Sequence, residues 1–372
     1  MKKLNYQMLI LQTIGIILVV VGHVGGIGLF SDWFPISSFH MPLFVFISGY
    51  FYKKEYDNCV GKFILKKAKR LLIPYFMWNM FYGIIMNIAN LKLHMNVWVG
   101  KLDFEFLFLE PWRTGHQFSI NVAAWFVLSL FLVEVVTVLF RKAISYIKLD
   151  NEYIIFCAIL IAGLIGVFYA NRGYNTGWYL TLVRMLFLLP FYQLGFLYKS
   201  KLENNDKLNN LSYFSALFFI QFILFRVYKE LDISVVFCQF NKNSIIQPYL
   251  SALTGILFWL RVSKILVPSL DKSNLIRSIG KNTWSIMMHH QFVFFVINCI
   301  IYKTYSIFNL KGFEIEKFKS SIWYTYSSGD FRSNIFYVFA GIMIPVLIVM
   351  FFDLTKRKVL EYDKIKKITS KY

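Results

Sequence analysis

Long apolar runs alternate with short charged stretches along the whole chain, with approximate limits 8–30, 36–52, 70–91, 119–140, 152–170, 178–198, 211–228, 246–267, 283–302 and 334–354. A hydrocarbon core about 30 Å thick takes roughly 20 apolar residues of helix, so the pattern predicts an all-α membrane protein with about ten transmembrane helices. No internal repeat, low-complexity linker or soluble domain interrupts it, and residues 1–372 read as one integral membrane domain. Composition agrees: 57% of residues are hydrophobic and only 16% charged, against about 25% charged in soluble domains. Met1-Lys2-Lys3 ahead of an apolar run resembles the opening of a signal peptide. No small-residue cleavage site follows, so the run is expected to be the first span.

The net charge of +20 raises the question of nucleic acid, but its distribution argues for topology. Most of the basic residues fall in alternate loops: Lys2 and Lys3, Lys53 to Arg70, Arg141 to Lys148, Lys199 to Lys207, Arg261 to Lys281, and the tail from Lys356. The positive-inside rule then places both termini and these loops in the cytoplasm of a multi-pass cell-membrane protein, and leaves no nucleic-acid signal. The four cysteines, Cys59, Cys157, Cys238 and Cys299, lack metal-ligand spacing and form no disulfide framework. The longest outer pieces, 92–118 and 303–333, are too aromatic for plain linkers, the first carrying Trp98 and Trp112. They read either as interfacial anchors or as surfaces for stacking on sugar rings.

Ionisable groups inside spans are costly and face a cavity or a partner. His23 lies in the outer half of the first segment among Gly22, Gly25, Gly26 and Gly28; His40 lies just inside the second, after the turn at Pro35. The two rings can approach each other across this hairpin, each serving either as a proton acceptor or as a donor to a nearby carbonyl. KKAKRLLIPY, residues 66–75, opens the third segment, and Lys67 and Arg70, one helical turn apart, fit either topology or a polyanion. Arg184 sits centrally in the sixth segment and needs an acid, carbonyls or an anion, with Glu134 as one candidate partner. Of His289 and His290 in the ninth, one suits a structural bond and the other a cavity wall.

VVVGH, FHMPLFVFISGYFYKK, KKAKRLLIPYFMWN, AAWFVLSLF, FLLPFYQLGFLYK and IGKNTWSIMMHHQFVFF follow one another in the order found in membrane acyltransferases of the acyltransferase-3 type. Over about 10–300 the chain resembles that family, and in particular the O-acetyltransferases of bacterial surface polysaccharides, including the fucose-acetylase-like branch. The resemblance implies a ten-helix core that moves an acetyl group from acetyl-CoA, a co-substrate rather than a resident cofactor, to a hydroxyl of a surface glycan or its lipid-linked precursor. It implies catalytic roles for His23 and His40, donor binding by Lys67 and Arg70, and active-site places for His290 and for Trp125 of the AAWFV motif. Many members carry arginine eleven residues before the first histidine, where this chain has Gln12. Arg184 is the replacement cation considered for donor binding.

On this reading His23 either deprotonates the acceptor or carries the acetyl group itself, with Ser48 an alternative carrier and Asp32 or Glu134 a candidate acid beside His23. The competing classes are a transporter or flippase of sugar-linked lipids, which inverted repeats would favour, and a non-catalytic subunit of polysaccharide assembly. Oligomeric state, the acceptor sugar and the acyl group have no readout in the sequence.

Overall fold

The structure, a computed structural model, describes residues 4–25, 33–95, 97, 100–115, 118–148, 151–305, 307, 312–321, 323–326 and 331–369, of which 331 and 357–369 are described by their backbone alone. Gly26, Gly28, Asp32 and Trp98 lie outside the described residues. Every apolar run is a helix: α1 Tyr6–Gly22, α2 Ile36–Tyr50, α3 Val60–Leu93, α5 Trp125–Tyr146, α6 Glu152–Asn171, α7 Gly177–Leu197, α8 Asn210–Tyr228, α9 Gln247–Leu270, α11 Thr283–Thr304 and α13 Phe331–Thr369. Three short helices join them: α4 Glu110–Arg113, α10 Asn274–Lys281 and α12 Ile315–Ser320. Among the described residues the only ladder-like pairing is a single antiparallel bridge between Ser234 and Gln239.

Eight of these helices are long and apolar enough to cross a membrane, which makes the protein an all-α, multi-pass membrane protein. The first two are not, with 17 and 15 residues. At 1.5 Å per residue they reach about 25 Å and 22 Å, short of a bilayer core. The run expected to span 8–30 stops at Gly22, where the chain turns through Gly25 at φ 92°. Both helices are largely buried among other helices, and where they meet, at Gly22, His23 and Ile36, they line a cavity. The third segment departs the other way: it begins at Val60, ten residues ahead of the expected start, and the KKAKR run is therefore helical.

Two glycines let α2 and α7 touch backbone to backbone. A Cβ at Gly49 would collide with the Tyr192 carbonyl, and one at Gly195 would collide with the Phe46 carbonyl. Small residues at such crossings are how helices associate where lipid removes the hydrophobic incentive. On the lysine-rich side, a buried network ties α5, α6, α7 and the 54–58 turn. Arg141 donates to both carboxylate oxygens of Glu152 at 2.9 Å, Gln193 donates to Glu152 at 2.9 Å, and Asp57 lies 3.5 Å from Arg141 Nε. Removing one member of such a buried set typically costs about 3–5 kcal/mol.

Candidate active site

His23 is the residue that closes α1, and its position follows from the early stop of that helix. Its Nδ1 lies 2.6 Å from Nε2 of His290, with the two ring planes parallel and the centroids 4.9 Å apart. His290 is fully buried in α11, and its Nδ1 lies 2.8 Å from the Ile286 carbonyl one turn earlier. A carbonyl oxygen only accepts, so His290 Nδ1 carries a hydrogen, and its neutral Nε2 is an acceptor. His23 Nδ1 must then donate, which leaves the His23 Nε2 lone pair free. The chain of partners thus assigns one tautomer to each ring and presents a base at His23. His40 is set the same way: its Nδ1 is 2.5 Å from the Ile36 carbonyl, leaving Nε2 as an acceptor.

Two cavities approach this pair from opposite ends of the bundle. One, of about 530 Å³, opens toward the lysine-rich side and is lined by Gln12, Ser48, Lys66, Lys67, Arg70 and Glu134, with Tyr52, Tyr56 and Trp284 among its aromatic walls. The other, of about 1150 Å³, is lined by His23, His40, Trp125 and Trp323 together with Lys229 to Phe237 of the loop before α9. On α1 the first cavity reaches Ile16 and the second begins at Val19. On α2 the corresponding residues are Phe44 and Met41, and on α11 Met287 of the first cavity lies one turn before His290. The histidine pair therefore stands at the partition.

The site unites several residues singled out in the sequence and separates others. His23 and His40 do share a cavity across the hairpin, but the hydrogen-bonded partner of His23 is His290, 267 residues away, and not a carboxylate. Glu134 is neither the acid beside His23 nor the partner of Arg184; its buried carboxylate forms an ion pair with the half-buried Lys67. Arg184 stands apart from the Lys67 and Arg70 cluster. Its guanidinium donates to the carbonyls of Thr114, at 3.3 Å, and Val236, and lies 4.7 Å over the Trp125 ring. Arg184 thereby fastens α7 to two loops, one of which walls the larger cavity. His289 takes the structural place, 2.5 Å from the Tyr82 hydroxyl and against Trp78.

Three residues of the site carried no local signal. Trp323, half exposed, leans against His23 with ring centroids 5.1 Å apart. Its segment is pinned by Asn298 Nδ2 to the Tyr324 carbonyl at 2.7 Å and by the Tyr326 N–H to the Tyr337 hydroxyl at 3.1 Å. Asp232 accepts a hydrogen bond from Ser37 at the rim, and burial pushes its carboxyl above the usual range. Trp284 enters the smaller cavity from the first turn of α11. The aromatic richness of 303–333 pointed toward Trp323, and Trp284 lay inside the IGKNTWSIMMHHQFVFF motif without being singled out.

Helical spans, two cavities and a hydrogen-bonded histidine pair between them make up the site. A family model described as an acyltransferase domain matches residues 5–353, nearly the whole chain. The chain belongs to the acyltransferase-3 family, and the protein is a membrane acyltransferase. No curated protein and no solved structure shows significant similarity to it.

Proposed function

We propose that the protein transfers an acetyl group from acetyl-CoA to a hydroxyl of a cell-surface polysaccharide or its lipid-linked precursor. Acetyl-CoA enters the smaller cavity from the cytoplasmic side, with its phosphates on Lys66 and Arg70 and its thioester reaching toward His23. Lys67, held by Glu134, adds its charge from behind. The sugar enters the larger cavity from the opposite side, between Trp323 and the 229–239 loop. His23 Nε2 takes the hydroxyl proton as the sugar oxygen attacks the thioester carbonyl. Collapse of the tetrahedral intermediate breaks the carbon–sulfur bond, and the imidazolium returns the proton to the leaving thiolate.

The observation that carries this reading is the fixed tautomer chain Ile286–His290–His23 at the partition between two cavities. It supplies the oriented base that acyl transfer to a hydroxyl requires, as the second residue of a catalytic triad does elsewhere. Inside-out membrane vesicles containing the native glycan and radiolabelled acetyl-CoA test it. Label enters alkali-labile glycan ester with the parent and not with an equally expressed His23→Ala variant. Equal incorporation by both removes His23 from the chemistry. No incorporation by either, in vesicles whose glycan another acetylase does modify, removes the substrates named here. Label left on the protein when the glycan is omitted replaces direct attack by an acyl-enzyme.

A further inference from the structure

Two side chains that line the smaller cavity carry buried polar atoms that the scheme above does not use. Glu134 is buried almost completely; one carboxylate oxygen pairs with Lys67, and the other, Oε2, has no hydrogen-bond partner. Trp284 Nε1 is also buried without a partner. Both side chains line the same cavity, Glu134 from the middle of α5 and Trp284 from the start of α11. One is a fixed acceptor and the other a fixed donor, and leaving such groups unpaired costs more than one hydrogen bond usually gains.

Their place along the cavity narrows what pairs with them. Trp284 precedes His290 by six residues, about 9 Å of helix. Glu134 is bonded to Lys67, next to the Lys66 and Arg70 cations at the entrance. Both side chains line the one cavity that holds the cations at Lys66 and Arg70 and reaches Met287, one turn before His290. A secondary amide presents one N–H and one carbonyl on opposite edges, the complement of a carboxylate oxygen and an indole N–H.

We propose that Glu134 Oε2 and Trp284 Nε1 together recognise a secondary amide in the arm of the acyl donor, as in the pantetheine chain, the amide N–H bonding to Glu134 and the carbonyl to Trp284. The proposal rests on the reading of the smaller cavity as the donor site. It makes these two residues specificity determinants that act on the arm, separate from the cations that act on the phosphates. The Lys67 ion pair then has a second consequence: it holds one carboxylate oxygen of Glu134 and leaves the other for the donor.

The test uses two donors that share the amides and differ in phosphate: acetyl-CoA and S-acetylpantetheine. Trp284→Phe keeps an aromatic ring and deletes only the N–H-bearing portion. In the vesicle assay this variant raises KM for both donors about tenfold, with kcat held within about twofold, because the lost interaction is common to both. Arg70→Ala raises KM for acetyl-CoA alone. Glu134→Gln, a weaker neutral acceptor, raises both KM values about threefold. Unchanged KM values for both donors with Trp284→Phe, or a fall confined to kcat, overturn the amide contact while leaving the acyltransferase reading in place. A parent protein that transfers nothing from acetyl-CoA removes that reading, and the amide contact with it.

Discussion

The two cavities differ in what builds their walls. The smaller is enclosed by side chains of α1, α2, α3, α5, α7 and α11 and by the 51–56 stretch braced on the Arg141 network. The larger takes almost half its lining from one loop, 229–239, and adds Trp323 from another. Helix walls hold geometry and tolerate few changes, whereas loops accept substitution and length change. A chamber that receives one invariant co-substrate suits the first construction. A chamber that must fit a particular sugar suits the second. On the proposed function, the contrast implies that donor and acceptor parameters can be altered independently, and that only the partition affects both.

The largest effect is expected at the partition. His23→Gln removes the base and lowers kcat about a thousandfold with both substrates, within the range general-base residues contribute; a loss under tenfold, measured on equal amounts of membrane-inserted protein, makes the two cavities something other than arms of one reaction. His290→Phe comes next. It leaves His23 Nδ1 without its acceptor, frees the ring to take the other tautomer, and lowers kcat about a hundredfold while both KM values stay level. If His290 acts through His23, the acid limb of the kcat profile also moves; an unmoved profile leaves His290 a packing residue.

Arg70→Ala sharpens the contrast from the donor side. It raises KM for acetyl-CoA about tenfold and leaves the acceptor KM unchanged, as expected for loss of a charge-assisted phosphate contact. A rise in acceptor KM instead exchanges the roles of the cavities. Trp323→Ala is the counterpart and the smallest effect. Loss of an aromatic face, worth about 0.5–1.5 kcal/mol in aromatic pairs, raises the acceptor KM roughly three- to tenfold with donor KM constant. An equal rise in both makes Trp323 a support for His23 and not a sugar platform.

The long spans were legible because crossing a bilayer is a bulk property of about 20 consecutive residues, and each apolar run contains a helix, eight of them long enough to cross. Helix ends were less so. The α1 stop depends on where Gly25 turns the chain, and the early α3 start lies in a charged run that a hydrophobicity scan skips. Within the site, His23, His40, Lys67 and Arg70 were visible as ionisable groups in or beside apolar runs. Their partners were not, since the His23–His290 and Lys67–Glu134 pairs join residues 267 and 67 positions apart. Arg184 shows the limit: its depth predicted a need for an acid, carbonyls or an anion, and only the fold shows that the carbonyls of Thr114 and Val236 serve it.

The shortness of α1 has an electrical side. With water in both cavities, the membrane voltage that falls across about 30 Å of hydrocarbon elsewhere falls here across little more than the helical turn from Ile16 to Val19. The field across that turn is then several times that in the surrounding lipid, and His23 stands at its edge, in the larger cavity. Any net charge that crosses the partition does nearly the full electrical work, about 2.3 kcal/mol per elementary charge at 100 mV. A reaction whose proton enters and leaves His23 on the same side is indifferent to that voltage. One that picks the proton up on one side and releases it on the other is driven or opposed by it, so turnover at clamped membrane potential reads out the side on which the proton leaves.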